Sequence, residues 1–137
     1  MQITTQHEHP IRVYYEDTDA GGIVYYANYL KFIERARTEW LRSLGIEQDV
    51  LLEQSIAFVV KGVTIDYRQP ARFNESLRVL SQVVELKRAS ILFVQQVIND
   101  HDNVLVNAQV KVACVDLETM RPKAIPQFVL GELSGVR

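Results

Sequence analysis

Three carboxylates, Glu16, Asp17 and Asp19, run directly into the pair Gly21-Gly22 in the segment RVYYEDTDAGGIVYYANYLKFIERARTEWLR, Arg12 to Arg42. Acid side chains beside a glycine turn that feeds a helix are suited to acyl transfer. A carboxylate can attack a carbonyl carbon or take a proton from water. Gly21 and Gly22 remove side chains where a ligand must approach the backbone. The start of the following helix offers unpaired N–H groups and the positive end of a dipole, which can hold a developing oxyanion. Strand parity sets Tyr15, Asp17 and Asp19 nominally on one side and Glu16 on the other. The same aspartates also fit a purely structural role, shaping a turn or capping a helix.

The elements that must position this segment follow from the pattern of apolar residues. Ile11 to Glu16 is a β-branched and aromatic run, read as the first strand. DTDAGG is a turn. Tyr29, Ile33, Ala36, Trp40 and Leu44 recur at spacings of four, three, four and four, one face of a helix, with Asn28 as N-cap and Gly45 as the residue just past its end. Leu30, Phe32 and Leu41 widen the apolar surface, so this helix is expected to be wrapped on more than one side. Its charges Glu34, Arg35, Arg37, Glu39 and Arg42 form weak pairs, some of them candidates for a subunit boundary.

Beyond the helix the period changes to two. Val63, Ile65 and Tyr67 alternate with Thr64, Asp66 and Arg68, a strand with one wet face that Gln69-Pro70 ends. Leu77 to Leu86 and Ser90 to Ile98 are two more strands, joined by Lys87-Arg88-Ala89. Asn99 to Asn103 is a turn, and Val104 to Cys114 alternates along a long strand. Pro122 and Pro126 break up the tail. Strand, helix and then a run of antiparallel strands define the α+β class and a single domain over residues 1–137, with one helix covering about five strands.

Composition narrows the function. Apolar residues make up 47% of the chain and charged residues 23%, as in a globular domain, and the net charge of −2 offers no basic excess for binding nucleic acid. The N-terminal stretch has no signal-like apolar run, and no segment approaches the roughly 20 apolar residues that span a bilayer. A cytoplasmic protein is expected. Cys114 is the only cysteine and lies in an apolar run, which reads as a buried, inert thiol. His7-Glu8-His9 lacks the companions and spacing of a metal site and reads as a frayed N-terminal arm; no metal ligand is expected. His101 reads as solvated. No G-x-S-x-G context surrounds any serine.

The run YYEDTDAGGIVYYANYLKFIERARTEWL resembles the signature of the Tol-Pal-associated acyl-CoA thioesterases, relatives of 4-hydroxybenzoyl-CoA thioesterase. Weaker similarity continues through AFVVKGVTIDYRQPARFNESL and VKVACVDLETMRPKAIP. The resemblance implies a hotdog fold, a curved antiparallel sheet wrapped around one long helix. It implies hydrolysis of short-chain or aromatic acyl-CoA, with Asp19 as nucleophile or general base and the backbone N–H of Tyr26 polarising the thioester carbonyl. Most members of the Tol-Pal-associated branch carry histidine where this chain has Tyr26, whereas the hydroxybenzoyl relatives carry tyrosine, so no essential histidine is expected.

Gly22, Tyr25 and Val60 are expected to face substrate, Val60 by family analogy. Lys87, Arg88 and Ser90 correspond to a turn that contacts the nucleotide of CoA in the hydroxybenzoyl relatives; a solvated hairpin tip explains them equally. No cofactor is implied beyond coenzyme A as part of the substrate, and acyl carrier protein is the alternative carrier. The resemblance further implies a homodimer or a homotetramer built as a dimer of dimers, with the site between chains and any inner-membrane association peripheral. An interaction module for acyl carriers or lipid-synthesis enzymes, with incidental hydrolysis, is the competing reading. A hotdog dehydratase or hydratase is disfavoured for want of a placed histidine.

Overall fold

The structure is a computed structural model that describes residues 6–135; residues 1–5 of the N-terminal stretch lie outside it. Five strands form one antiparallel sheet: β1 (His7–Arg12), β2 (Ile56–Tyr67), β3 (Ser76–Leu86), β4 (Ser90–Ile98) and β5 (Val104–Asp116). Their order across the sheet is β1-β3-β4-β5-β2. The helices are α1 (Asn28–Ser43), α2 (Gln48–Glu53) and α3 (Gln127–Gly135). This is the α+β class read from the order of elements, in the hotdog arrangement that the family resemblance implies.

Helix α1 lies against β1, β3 and β4. It buries Tyr29, Phe32, Ile33, Ala36, Trp40 and Leu41 together with Arg37. Burying each of the larger apolar side chains stabilises the fold by about 1.5–3 kcal/mol, which anchors the helix far more firmly than its intrinsic propensity would. Leu30, expected in the apolar surface, is 40% exposed. The C-terminus closes as the sequence predicts. Gly45 has φ +79°, its N–H donates to the Arg42 carbonyl, and the Ile46 N–H donates to Leu41, so the last carbonyls are satisfied. The N-terminus differs: Asn28 is the first helical residue, not the cap, and its Nδ2 donates to the Asp17 carbonyl at 2.9 Å.

Three further expectations need correction. The first strand is His7–Arg12 rather than Ile11–Glu16, because Asp17 turns the chain at Tyr15–Asp17 into a 3₁₀ turn. His7-Glu8-His9 is therefore not a frayed arm. It pairs with Ser81, Leu80 and Val79, and the His7 ring stacks on Trp40 with centroids 5.8 Å apart. β1 is an edge strand, which is where a strand tolerates Pro10. The tail is not merely broken by prolines either: Pro126 opens α3, its carbonyl accepting the N–H groups of Val129 and Leu130, as a residue at a helix start can.

β3, β4 and β5 match the sequence reading closely, whereas β2 begins at Ile56, seven residues before the alternation read from Val63. β3 and β4 meet at Lys87–Ala89. In the turn that follows β4, Asn99 Oδ1 accepts the N–H groups of His101 and Asn103. Register shifts lie between Val60 and Gly62 in β2 and between Val83 and Glu85 in β3; such bulges bend strands and let the sheet curve around α1. β2 is the other edge of the sheet. From Val60 to Tyr67 it stands largely clear of the core, with Val60 51%, Val63 40% and Tyr67 42% exposed.

Candidate active site at the mouth of the long helix

Asp17 builds the loop that carries Asp19. Its Oδ2 accepts the Tyr14 N–H at 2.8 Å, and its carbonyl accepts the Tyr25 N–H at 2.9 Å. Thr18 then pairs with Val24. The Asp19 N–H donates to Ile23, and the Gly22 N–H donates back to the Asp19 carbonyl, each at 3.0 Å. Gly22 has φ +77°, a conformation that a side chain would strain. The result is a small hairpin, so the expected strand parity of Tyr15, Asp17 and Asp19 does not survive.

This hairpin is fixed to the rest of the fold. The Val24 N–H donates to Ala71 at 2.9 Å and the Phe73 N–H to Gly22 at 3.3 Å. The Tyr29 hydroxyl accepts the Ala71 N–H at 3.0 Å, tying the first turn of α1 to the same segment.

The Asp19 side chain is exposed. Its Oδ1 accepts the Gly21 N–H at 2.9 Å. Among the described residues its Oδ2 has no partner, and neither does the Tyr26 N–H in the turn that leads into α1. Asp19 thus shapes the turn with one oxygen and presents the other. The antiparallel run of Thr18-Asp19 beside Ile23-Val24 holds it near the helix mouth.

A cleft of about 300 Å³ opens at that mouth, lined by Ile23, Tyr26, Tyr29, Tyr67 and Pro70 among others. Asp19 does not line it within one chain. Tyr26 and Tyr67 meet edge to face at 6.0 Å, and Tyr29 and Tyr67 lie 5.7 Å apart. Burial raises the Tyr29 phenol, partly offset by the Ala71 amide; burial and then Tyr26 raise Tyr67. A hydrogen bond with Tyr26 raises Tyr25. Tyr25, Tyr29 and Tyr67 therefore stay protonated at neutral pH and serve as hydrogen-bond groups and apolar walls, not as bases. Sequence reasoning read Tyr67 only as a strand residue. Its alternation with polar neighbours was visible, but its meeting with Tyr26 was not.

The remaining predicted residues lie elsewhere. Lys87 and Arg88 are exposed, and neither makes an ion pair among the described residues. Their turn is closed by the Lys87 N–H donating to Ser90. It stands at the far end of β3 from Asp19: the Asp19 loop starts where the Val13 N–H meets Glu75, and β3 then runs 11 residues to Leu86, roughly 35 Å. One chain does not bring Lys87, Arg88 and Ser90 to Asp19. Val60 is also remote from Asp19 and lines a different cavity, beside Arg37. Cys114 is buried, and burial raises its thiol pKa. Among the described residues no group of three His, Cys, Asp or Glu side chains could hold a metal ion, and no helix is long and apolar enough to cross a membrane.

Comparison with known proteins meets this geometry. Residues 13–133 match the thioesterase-like superfamily. An acyl-CoA thioesterase, YbgC of Haemophilus influenzae, is 54% identical over 121 residues, 88% of each chain. Among solved structures, a 1,4-dihydroxy-2-naphthoyl-CoA thioesterase from Synechocystis superposes with a TM-score of 0.88 at 21% identity, covering 93% of this chain and 95% of its own. A gentisyl-coenzyme A thioesterase superposes with a TM-score of 0.84 at 26% identity, covering 92% and 98%. None of these names bears on the Tol-Pal association. The chain belongs to the thioesterase-like superfamily and is an acyl-CoA thioester hydrolase.

Proposed function

We propose that the protein hydrolyses short-chain or aromatic acyl-CoA, with Asp19 as nucleophile or general base and the Tyr26 N–H as the donor to the thioester carbonyl. The observation that carries this reading is that one pinned hairpin holds an Asp19 with Oδ2 unpartnered among the described residues and leads directly into a Tyr26 N–H that has no acceptor there. In the direct route, water loses a proton to Asp19 and attacks the carbonyl. The C–S bond breaks, and the thiolate leaves without strong acid assistance because its pKa lies near that of free cysteine, about 8.5. In the covalent route, Asp19 itself attacks, the C–S bond breaks and the thiolate leaves, and water opens the resulting anhydride to the free acid and the restored Asp19 carboxylate. The aromatic cleft of Tyr26, Tyr29 and Tyr67 suits an acyl group with a flat apolar body, and the gentisyl-coenzyme A relative supports the aromatic end of the range. Acyl carrier protein is the alternative carrier.

The reading requires two chains. The outer edge of β2 has no strand beside it among the described residues, and a long apolar edge invites another strand. Antiparallel pairing of two β2 edges about Gly62 and Val63 sets the Tyr67 end of one against the Val60 end of the other. Ser90 lies in register with Ala113, and Ala113 with Val59, so the partner's Lys87, Arg88 and Ser90 then approach the Asp19 end. Each site takes its carboxylate from one subunit and its phosphate contacts from the other, in a homodimer or a tetramer of two such dimers. The setting is cytoplasmic, with any inner-membrane contact peripheral.

Release of free thiol from a panel of acyl-CoAs tests the activity, with Asp19→Asn as the control. Normal turnover by that variant would falsify the mechanism. A wild type inert toward every acyl-CoA and acyl carrier would favour the interaction module.

A further inference from the structure

Asn28 stands one residue too late to cap the helix it begins. Ala27 holds the cap position of α1, and no side-chain cap bond is made there. An asparagine at the cap would accept a helix N–H through its side-chain oxygen. Asn28, half-buried in the first turn, instead turns its amide backwards, and Nδ2 donates to the Asp17 carbonyl at 2.9 Å. Asparagine is also a poor helix former, so neither capping nor propensity accounts for its place.

The Asp17 carbonyl is where the hairpin of Asp19 meets the helix mouth. It also accepts the Tyr25 N–H, at 2.9 Å, so both of its lone pairs are used. Asn28 reaches the same corner by a second bond: its backbone N–H donates to the Tyr25 carbonyl at 2.8 Å. That carbonyl shares a peptide plane with the Tyr26 N–H, and in a trans peptide the two point in opposite directions. Holding the Tyr25 carbonyl toward Asn28 therefore aims the Tyr26 N–H away from it. Asn28 thus bonds both to the loop that carries the acid and to the peptide that carries the donor.

We propose that Asn28 is a positioning residue for thioester hydrolysis, its two hydrogen bonds setting the Tyr26 N–H against the hairpin that carries Asp19. Asn28 touches no reacting atom and acts through Tyr26. The assignment rests on the Tyr26 N–H as the donor to the thioester carbonyl. Without the Nδ2 bond the Tyr25–Tyr26 peptide loses one of its ties to Asp17, and the donor is less well aimed where negative charge develops on the carbonyl oxygen. Binding of the CoA portion is untouched. An asparagine that served only the helix would behave differently. Aspartate suits the first turn at least as well, because the helix dipole favours negative charge there, but an ionised carboxylate cannot donate to the Asp17 carbonyl.

Asn28→Ala and Asn28→Asp in the full-length protein test this, the second keeping the side-chain shape if the first fails to fold. Each should lower kcat for benzoyl-CoA about ten- to a hundredfold, less than the roughly 10²–10³-fold cost of deleting an oxyanion donor outright, with KM unchanged. The carbonyl stretch of benzoyl-CoA bound to Asp19→Asn, read by Raman difference spectroscopy at saturation, separates the donor from the acid. A hydrogen bond to the carbonyl lowers that frequency, so the band should lie below that of free benzoyl-CoA. Adding Asn28→Ala or Asn28→Asp to Asp19→Asn should return it most of the way. Full kcat in Asn28→Asp, a loss confined to KM, or an unmoved band in the double variants overturns the assignment. A band in Asp19→Asn equal to that of free benzoyl-CoA removes the Tyr26 donor itself, and the role of Asn28 with it.

Discussion

Asp17 and Asp19 stand in one loop with opposite commitments: Asp17 Oδ2 is occupied by the Tyr14 N–H, whereas Asp19 keeps Oδ2 free after Oδ1 accepts Gly21. The two acids should therefore fail differently. Asp19→Asn is expected to lower kcat by about 10²–10⁴-fold, the range of a lost general base, with an unchanged melting temperature. Asp17→Ala should destabilise the fold by about 1 kcal/mol, as loss of a capping side chain does. Thiol-release kinetics beside thermal melts separate the two. A stable, fully active Asp19→Asn ends the assignment.

Lys87 and Arg88 are exposed cations, so their contribution is screened by salt. Lys87→Ala with Arg88→Ala should raise KM several-fold with little change in kcat, the sign of lost ground-state binding, and should flatten the dependence of KM on ionic strength. An unchanged KM at low salt retires the phosphate assignment.

Shared sites make a sharper prediction. Asp19→Asn chains and Lys87→Ala/Arg88→Ala chains are each impaired alone. Mixed and reassembled, they form a heterodimer in which one site joins an intact Asp19 to the partner's intact Lys87 and Arg88. Activity at low substrate should rise above the average of the two parents. Val63→Lys, on the exposed edge of β2, should shift sedimentation toward monomer and remove activity together. Absence of rescue on mixing means that each chain builds its site alone.

His7 gives a pH signature. Burial, and then the neighbouring His9, hold its pKa below the ordinary value of 6.5, with Glu39 and Glu8 pulling weakly the other way. A depressed pKa means that the folded state disfavours the imidazolium. Its contribution is fully present above the unfolded pKa, near 6.5, and is lost as pH falls through the lower folded value. The melting temperature of the wild type should thus fall more steeply below pH 6.5 than that of His7→Phe, which keeps a ring against Trp40. Parallel profiles would show that His7 is not the titrating group.

Much of this protein was decided locally and is legible in the chain. The four-three-four-four spacing from Tyr29 to Leu44 fixes the buried face of α1, since those residues must share one side of a helix. Gly45 marks its end because few other residues accept a positive φ. The alternation in β3, β4 and β5 fixes which side chains meet the helix, and the acidic Gly-Gly segment marks the candidate site and, by resemblance, the family. What only the tertiary structure decided is non-local. His7-Glu8-His9 has no β pattern of its own and becomes a strand because β3 supplies its partners. Which aspartate stays free depends on where the Tyr14 N–H falls. Arg37 reads as one more helix charge until Gln95 and Phe93 close over it. The distance from Asp19 to Lys87 follows from strand order and length. Periodicity reports which way a residue faces, but only the closing of the sheet sets which ends of it stand together.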